Sequence, residues 1–165
     1  MAKEGVLFIP YAETLYLLSP EEALVIAEDV YRMMAAGSIV AAIPPSFKLD
    51  IAAPYHNHWH VKCALLKDIP TTGVRLYNYY DDGDRNTVGK LECARYIILA
   101  DPMTGENMAI VEEHWSFAIR SAAATTLSLK WLGPKDPKVV ALVGVGSMCQ
   151  NALRCLTLLY DGIEE

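Results

Sequence analysis

The sequence is poor in the features that would commit it early to several functional classes. Its four cysteines, Cys63, Cys93, Cys149 and Cys155, form no Cys-x-x-Cys pair. That spacing speaks against a zinc knuckle or a redox dithiol, and scattered cysteines of this kind point to reduced thiols and a cytoplasmic protein. Basic residues are outnumbered 14 to 20, giving a net charge of -6, and no Lys/Arg run or basic helix face offsets the deficit. A nucleic-acid surface is not expected. The longest apolar run, around Val139 to Val145, is far too short to cross a bilayer. Met1-Ala2-Lys3-Glu4-Gly5 lacks the charged and apolar regions of a signal peptide, so no membrane partner is expected either. Repeats and low-complexity segments are missing too. What the 165 residues do have is apolar content, 53% of the chain, enough for one cored domain or one domain and a fragment of a second.

Reading along the chain, Leu15-Tyr16-Leu17-Leu18 is a short strand candidate. Ser19 then stands as an N-cap, with Pro20 at the first helical position and Glu21-Glu22 in the first turn, where the helix dipole favours acids. Ala23, Ile26, Ala27, Val30, Met33 and Met34 recur at helical spacing up to Gly37, with Met33 and Met34 expected in the core. After the Pro44-Pro45 break, Phe47, Leu49 and Ile51 alternate with Lys48 and Asp50 as in a half-buried strand. His56, His58 and His60 alternate as well. Strand composition returns at Gly73 to Tyr80, Ala94 to Ala100 and Asn107 to Val111, with turns at Asp81-Asp82-Gly83-Asp84 and Asp101 to Glu106. One helix followed by runs of strands predicts an α+β domain with a mixed or antiparallel sheet.

The second half changes character. Ser116 to Trp131 has apolar faces at helical spacing, and Gly133-Pro134 and Asp136-Pro137 stop it. Val139 to Val143 reads as an apolar strand of the type buried on both faces of a parallel sheet. Gly144-Val145-Gly146 follows, then a helical stretch from about Met148 to Tyr160. Strand, Gly144-x-Gly146 and helix together match the opening of a dinucleotide-binding unit. One glycine turns the chain sharply out of the strand, and the next lets the backbone approach a pyrophosphate at the helix N-terminus. Cys149 occupies the third motif position, where Gly or Ala is usual, and a plain strand-to-helix turn is the competing reading. The acid that reaches for the ribose, about 20 residues on, would fall at or beyond Glu165. An apolar central strand without neighbours exposes two edges. Either another polypeptide completes that sheet, or residues from about Val139 onward are poorly settled.

A family pattern runs through this half. Asp101-Pro102-x-Thr104-Gly105, Ala109, Ser116-x-x-x-Arg120-Ser121-Ala122-Ala123, and then Val143-Gly144-Val145-Gly146 resemble, in order and spacing, the ornithine cyclodeaminase/mu-crystallin family. The resemblance covers nearly all of this chain but only about the first half of a family member. It implies an α/β architecture: an N-terminal substrate-binding and dimerisation domain over residues 1–133, then the first βα unit of a Rossmann domain over 134–165. It also implies an NAD- or NADP-dependent oxidoreductase or cyclodeaminase acting on a small amino acid or cyclic imino acid. Arg120 matches the family arginine that grips the substrate carboxylate, and a planar guanidinium suits that task. Ser121 matches a small hydroxyl residue near the cofactor. Gly144, Gly146, Ser147, Met148 and Cys149 would line the nucleotide.

The sequence departs from the family pattern in two places. Arg75 stands where a substrate-side lysine is usual, and arginine cannot give up its proton, so a binding role survives better than proton transfer. Ser46 stands where an arginine commonly follows the paired prolines; Lys48 supplies the missing cation or is simply a solvated strand lysine. The family's catalytic aspartate lies outside this sequence. A truncated, split or non-catalytic subunit, or a dimerisation scaffold without cofactor, therefore competes with the enzyme reading. The expected partners are a small amino- or imino-acid substrate and either a homodimer mate or a completing second-half chain.

Three further features invite chemistry. His56, His58 and His60 share one strand face, but same-face neighbours rarely converge on a tetrahedral ion, so sheet-face or pocket histidines are expected and no metal. Lys62 shares that face and is a candidate pocket residue. Glu112, Glu113 and His114 form either an acid–base cluster or a polar loop before the helix. Cys149 at a helix start is a packing residue or a reactive thiol.

Overall fold

The computed structural model describes residues 5–52, 54, 57–80 and 94–164. The chain divides into two compact units, one formed by residues up to Tyr11 together with Ala36–Glu113, the other by Ala12–Ala35 and His114–Glu165. The Gly133-Pro134 boundary lies inside the second unit. The architecture is α/β with a mixed sheet, in agreement with expectation.

The first unit is a seven-stranded sheet. Its strands are β1 (Leu7–Ile9), β2 (Ile39–Ala41), β3 (Phe47–Ile51), β4 (Asn57–Leu66), β5 (Thr71–Tyr80), β6 (Arg95–Ala100) and β7 (Asn107–Glu112). Their order is β1-β7-β6-β5-β4-β2, and β3 also pairs with β4. β1 runs parallel to β7, Leu7 opposite Ala109, and the other pairs are antiparallel. The β6–β7 hairpin forms as its turn composition predicts. The Asp101 carboxylate accepts from the Met103 and Thr104 amides at 2.7 and 3.2 Å, and Gly105 takes a positive φ of 73°. The Asp81–Asp84 turn and His56 lie outside the described residues.

The second unit is helical: α1 (Tyr11–Leu17, whose first residue falls in the sheet unit), α2 (Pro20–Ala35), α3 (His114–Leu132) and α4 (Ser147–Leu159). α2 opens with a capping box. The Ser19 amide donates to Glu22 Oε2 at 2.8 Å, and the Glu22 amide donates to Ser19 Oγ at 3.2 Å. The core joins Ala23 and Leu24 of α2, Ile119, Ala122, Ala123 and Leu127 of α3, and Ala152 and Cys155 of α4. So many alanines let the helices approach closely, and Thr126, fully buried, satisfies its hydroxyl on the Ala122 carbonyl at 2.9 Å.

Several local expectations are corrected. Leu15-Tyr16-Leu17-Leu18 is not a strand: Leu15 to Leu17 close α1, since a four-residue apolar run carries no period to separate helix from strand. On α2 the buried residues are Ala23 and Leu24, while Ile26 and Met34 are exposed, so the buried stripe is rotated from the one the spacing suggested. α3 begins at His114, so that residue is helical and not part of a loop. Phe47 and Leu49 of β3 are 64% and 61% exposed, because among the described residues the sheet unit has no second layer to cover them. Val139 to Val143 forms no strand. The segment has no ladder partner among the described residues, and Val139 and Val143 are 66% and 96% exposed.

Candidate functional site

The glycine turn of the second unit starts from backbone geometry. Gly144 has φ +112°, a region open in practice to glycine. A β-carbon there would meet the Cys149 sulfur at 3.5 Å. Cys149 itself sits 3.5 Å from the Val143 carbonyl, so the third motif residue closes the turn against the segment that enters it. At Gly146 a β-carbon would meet nothing within 4 Å, which leaves that side of the backbone open to a ligand. Gly146 is the N-cap of α4 and offers no side-chain cap; the first helical bond runs from the Gln150 amide to its carbonyl at 3.1 Å. The amides of Ser147, Met148 and Cys149 thus begin a helix whose dipole favours an anion. The residues present fit a pyrophosphate.

Arg120 lies on α3 in the same unit. Its side chain is exposed, with the guanidinium over the Phe117 ring at 5.0 Å. Ser121 is half-buried and donates to the Phe117 carbonyl at 2.7 Å, leaving its oxygen lone pairs as acceptors. α3 and α4 share the core through Ile119, Ala122, Ala123, Ala152 and Cys155, which fixes the helices bearing Arg120 and the glycine turn.

In the first unit, the pleat places Lys48, Asp50, His58, His60, Lys62, Arg75, Tyr77, Tyr79 and Arg95 on one face. Lys48 bonds Asp50 at 2.6 Å, with both side chains largely exposed, so it is a strand-surface ion pair at this position. The Lys48 ammonium holds the Asp50 carboxyl below its ordinary range, mainly through that hydrogen bond. His60 stacks parallel on Tyr77 at 4.8 Å, and His58 on Tyr79 at 5.2 Å, while the two imidazoles meet edge-on at 5.0 Å. Burial and then the positive field of His58, Lys48 and Lys62 push the His60 pKa down. Lys62 itself is exposed.

Arg75 is where sequence reasoning saw half of a pair. Its Nε donates to Glu113 Oε1 at 2.5 Å, and the Glu113 side chain is 3% exposed. The arginine also lies over the Tyr77 ring at 4.2 Å. Glu113 follows β7 directly, and its amide continues the ladder to the Arg95 carbonyl at 3.0 Å. Glu113 stands 38 positions away from Arg75, so only the strand order brings the two together. Of the three adjacent candidates Glu112, Glu113 and His114, it is Glu113 that makes this ion pair.

The Ornithine cyclodeaminase/mu-crystallin family model matches residues 17–165. The chain belongs to that family. Among its relatives, an alanine dehydrogenase of Archaeoglobus fulgidus is 25% identical over 161 residues, covering 94% of this chain and 45% of that protein. An iminosuccinate reductase of Paracoccus denitrificans is 42% identical over 82 residues, covering 50% of this chain and 25% of that one. This member of the family thus spans about half the length of the curated relatives it matches.

Solved structures agree in fold. A Thermococcus litoralis Δ1-pyrroline-2-carboxylate reductase, in complex with NADH and L-proline, superposes with a TM-score of 0.84 at 22% identity, covering 96% of this chain and 47% of that one. The Paracoccus denitrificans iminosuccinate reductase with NAD+ gives 0.82 at 25% identity, covering 95% and 47%. An archaeal alanine dehydrogenase dimer with bound NAD gives 0.83 at 23% identity, covering 94% and 46%. No helix among the described residues is long and apolar enough to cross a membrane.

Proposed function

We propose that this family member serves an NAD- or NADP-dependent oxidoreductase or cyclodeaminase acting on a small amino acid or cyclic imino acid. The observation that carries the reading is the turn at Gly144-Val145-Gly146, where a left-handed glycine and an open N-cap precede α4. Gly144, Gly146, Ser147, Met148 and Cys149 hold the pyrophosphate through backbone amides, and Ser121 contributes a hydroxyl near the cofactor. The nicotinamide, when bound, supplies or accepts the hydride. Arg120 takes the substrate carboxylate, and Arg75, Lys48 and Lys62 set the charge of the substrate side. Arg75 acts by binding, because a guanidinium held by Glu113 keeps its proton. The division of labour follows a boundary near Gly133, with residues 1–133 binding substrate and dimerising and 134–165 opening the nucleotide-binding domain.

The protein works as a homodimer in the cytoplasm. The archaeal alanine dehydrogenase relative is a dimer, the exposed Phe47 and Leu49 offer apolar surface for an interface, and Cys63, Cys149 and Cys155 are free thiols. Titration with NADH and NADPH, followed by nicotinamide fluorescence and calorimetry, tests the reading; saturable binding by neither would refute it. The second reading, a non-catalytic or split subunit, draws support from the apolar segment Val139 to Val143, which has no ladder partner among the described residues. Native mass spectrometry separates the two, since a companion chain that fills this edge favours a split enzyme and a cofactor-free homo-oligomer favours a scaffold.

A further inference from the structure

Between the C-terminal halves of α2 and α3, inside the helical unit, lies a groove of about 570 Å³. Leu127, 3% exposed, is its floor. Tyr31, Trp131 and Leu132 stand along it and are left more than half open to water. In the rest of this unit α2, α3 and α4 close on one another through alanines, so large apolar side chains left bare on the same helices are a local exception. Neither Arg120, Ser121 nor the glycine turn lines the groove, and the site described above makes no use of it.

Two cations share one acid at its mouth. Arg32 Nη2 donates to Glu28 Oε1 at 2.8 Å, and Lys130 Nζ donates to Glu28 Oε2 at 2.6 Å. These three are the charged residues that line the groove or bond to a residue that does, and they leave one positive charge over. The Lys130 hydrogen bond, and then that of Arg32, holds the Glu28 carboxyl below its ordinary range, so the acid is already ionised in this count. Arginine carries five N–H donors and lysine three, and Glu28 engages one from each, so donors remain for a second anion. The Lys130 ammonium also lies 5.5 Å from the centre of the Trp131 ring, which places the charge beside apolar surface. On a chain of net charge -6 such a spot is not a general property of the surface.

The dimensions select the occupant. The groove runs over Glu28 to Ala35 of α2 and Ala124 to Leu132 of α3, about two turns or ~12 Å of each helix. Small-molecule sites span roughly 300–1,000 Å³, whereas a stable protein partner covers about 800 Å² on each side. We propose that the groove binds a small amphipathic anion, a flat apolar body bearing a single carboxylate. The body lies against Leu127 and the rings of Tyr31 and Trp131, and the carboxylate meets Arg32 and Lys130. This site is independent of the enzymatic reading, and NADH binding neither supports nor weakens it.

The test is calorimetric titration of the full chain, at low ionic strength, with naphthalene-2-carboxylate and with its neutral amide. The carboxylate is expected to bind at one site per chain and about fivefold more tightly than the amide, the scale of one ion pair at an exposed position. Arg32→Gln is expected to bring the carboxylate down to the level of the amide. Ala35→Trp, at an exposed position of the groove wall, is expected to weaken both ligands at least about tenfold by filling the space. Leu132→Ala removes a side chain that is 88% exposed, so it tests the same wall with little risk to the fold, and is expected to weaken both about threefold. Circular dichroism on each variant ensures that a folded chain is being titrated. No saturable binding of either ligand by the unaltered chain overturns the proposal, as does equal binding of the two. A preference that survives Arg32→Gln, or binding indifferent to both Ala35→Trp and Leu132→Ala, places the ligand elsewhere and overturns it too. A dimer in sedimentation that Ala35→Trp dissociates, in a chain that takes up no carboxylate, gives the groove to a second copy instead.

Discussion

The two units are stabilised in different ways. In the helical unit α2, α3 and α4 enclose Ile119, Ala122, Ala123, Leu127, Cys155 and Leu156, all at 3% exposure or less. Among the described residues of the sheet unit Ala109 is the one buried apolar residue, and the deepest side chain is charged: Glu113, on Arg75. One unit is held by packing; the other is held by its ladder, its cross-strand rings and one buried ion pair. The sheet also has a wet face rich in cations and an opposite face where Phe47 and Leu49 are more than half exposed. Chemistry is concentrated where packing is thin.

The largest expected effect bears on the ion pair. Glu113→Ala breaks the buried ion pair with Arg75 and is expected to cost roughly 3–5 kcal/mol in a urea melt; a loss below about 1 kcal/mol would mean the sheet does not depend on this pair. In the helical unit Ile119→Ala removes a fully buried side chain and is expected to cost about 2–5 kcal/mol by the same measurement. The comparison sharpens with Gly144→Ala, which forces a β-carbon onto φ +112° and is expected to cost about 1–3 kcal/mol and to weaken NADH binding in fluorescence titration. Leu49→Ala, a comparable truncation on the open strand, is expected to cost no more than about 0.5 kcal/mol, since Leu49 is 61% exposed. A large loss there in the isolated chain would mean the face is covered in solution.

The smallest effect is one of pH. Burial, and then its cationic neighbours, hold His60 below its ordinary pKa in the folded chain. The unfolded chain therefore takes up the proton first as the pH falls, and stability declines below the ordinary histidine value of about 6.5. The stabilising contribution is present in full above that value. Urea melts at pH 7.5 and 5.5 measure the difference, and His60→Gln is expected to reduce it; an unchanged slope in the variant would assign the pH dependence elsewhere.

Much of the fold could be read where a local chemical rule decides the backbone. Ser19, Pro20 and Glu22 mark the start of α2 through a capping box that the structure contains, and the Asp101-to-Gly105 turn marks the hairpin. α1 could not be read, because Thr14 is its one buried residue and no amphipathic stripe announces it. Val139 to Val143 shows a different limit. A strand is a relation between segments, and apolar composition supplies only one partner of it. The site follows the same division. Gly144 is legible because its φ of +112° favours glycine, Gly146 because the motif needs bare backbone beside the helix start, and Arg75 because its neighbours match a family pattern. Glu113 was visible only as one of three adjacent polar residues, since its partner lies two strands away in a sheet order the sequence does not spell out.

The parallel pairing of β1 with β7 bears on the order in which the molecule is put together. Leu7 to Ile9 leave the ribosome well before Ala109 to Val111, yet the place they occupy exists only after those residues have emerged and folded back along β6. Until then Leu7 and Phe8 wait as unpaired, greasy chain. A strand made before its partner is thus seated only after it, and the β1–β7 seam becomes a natural place for the sheet to reopen.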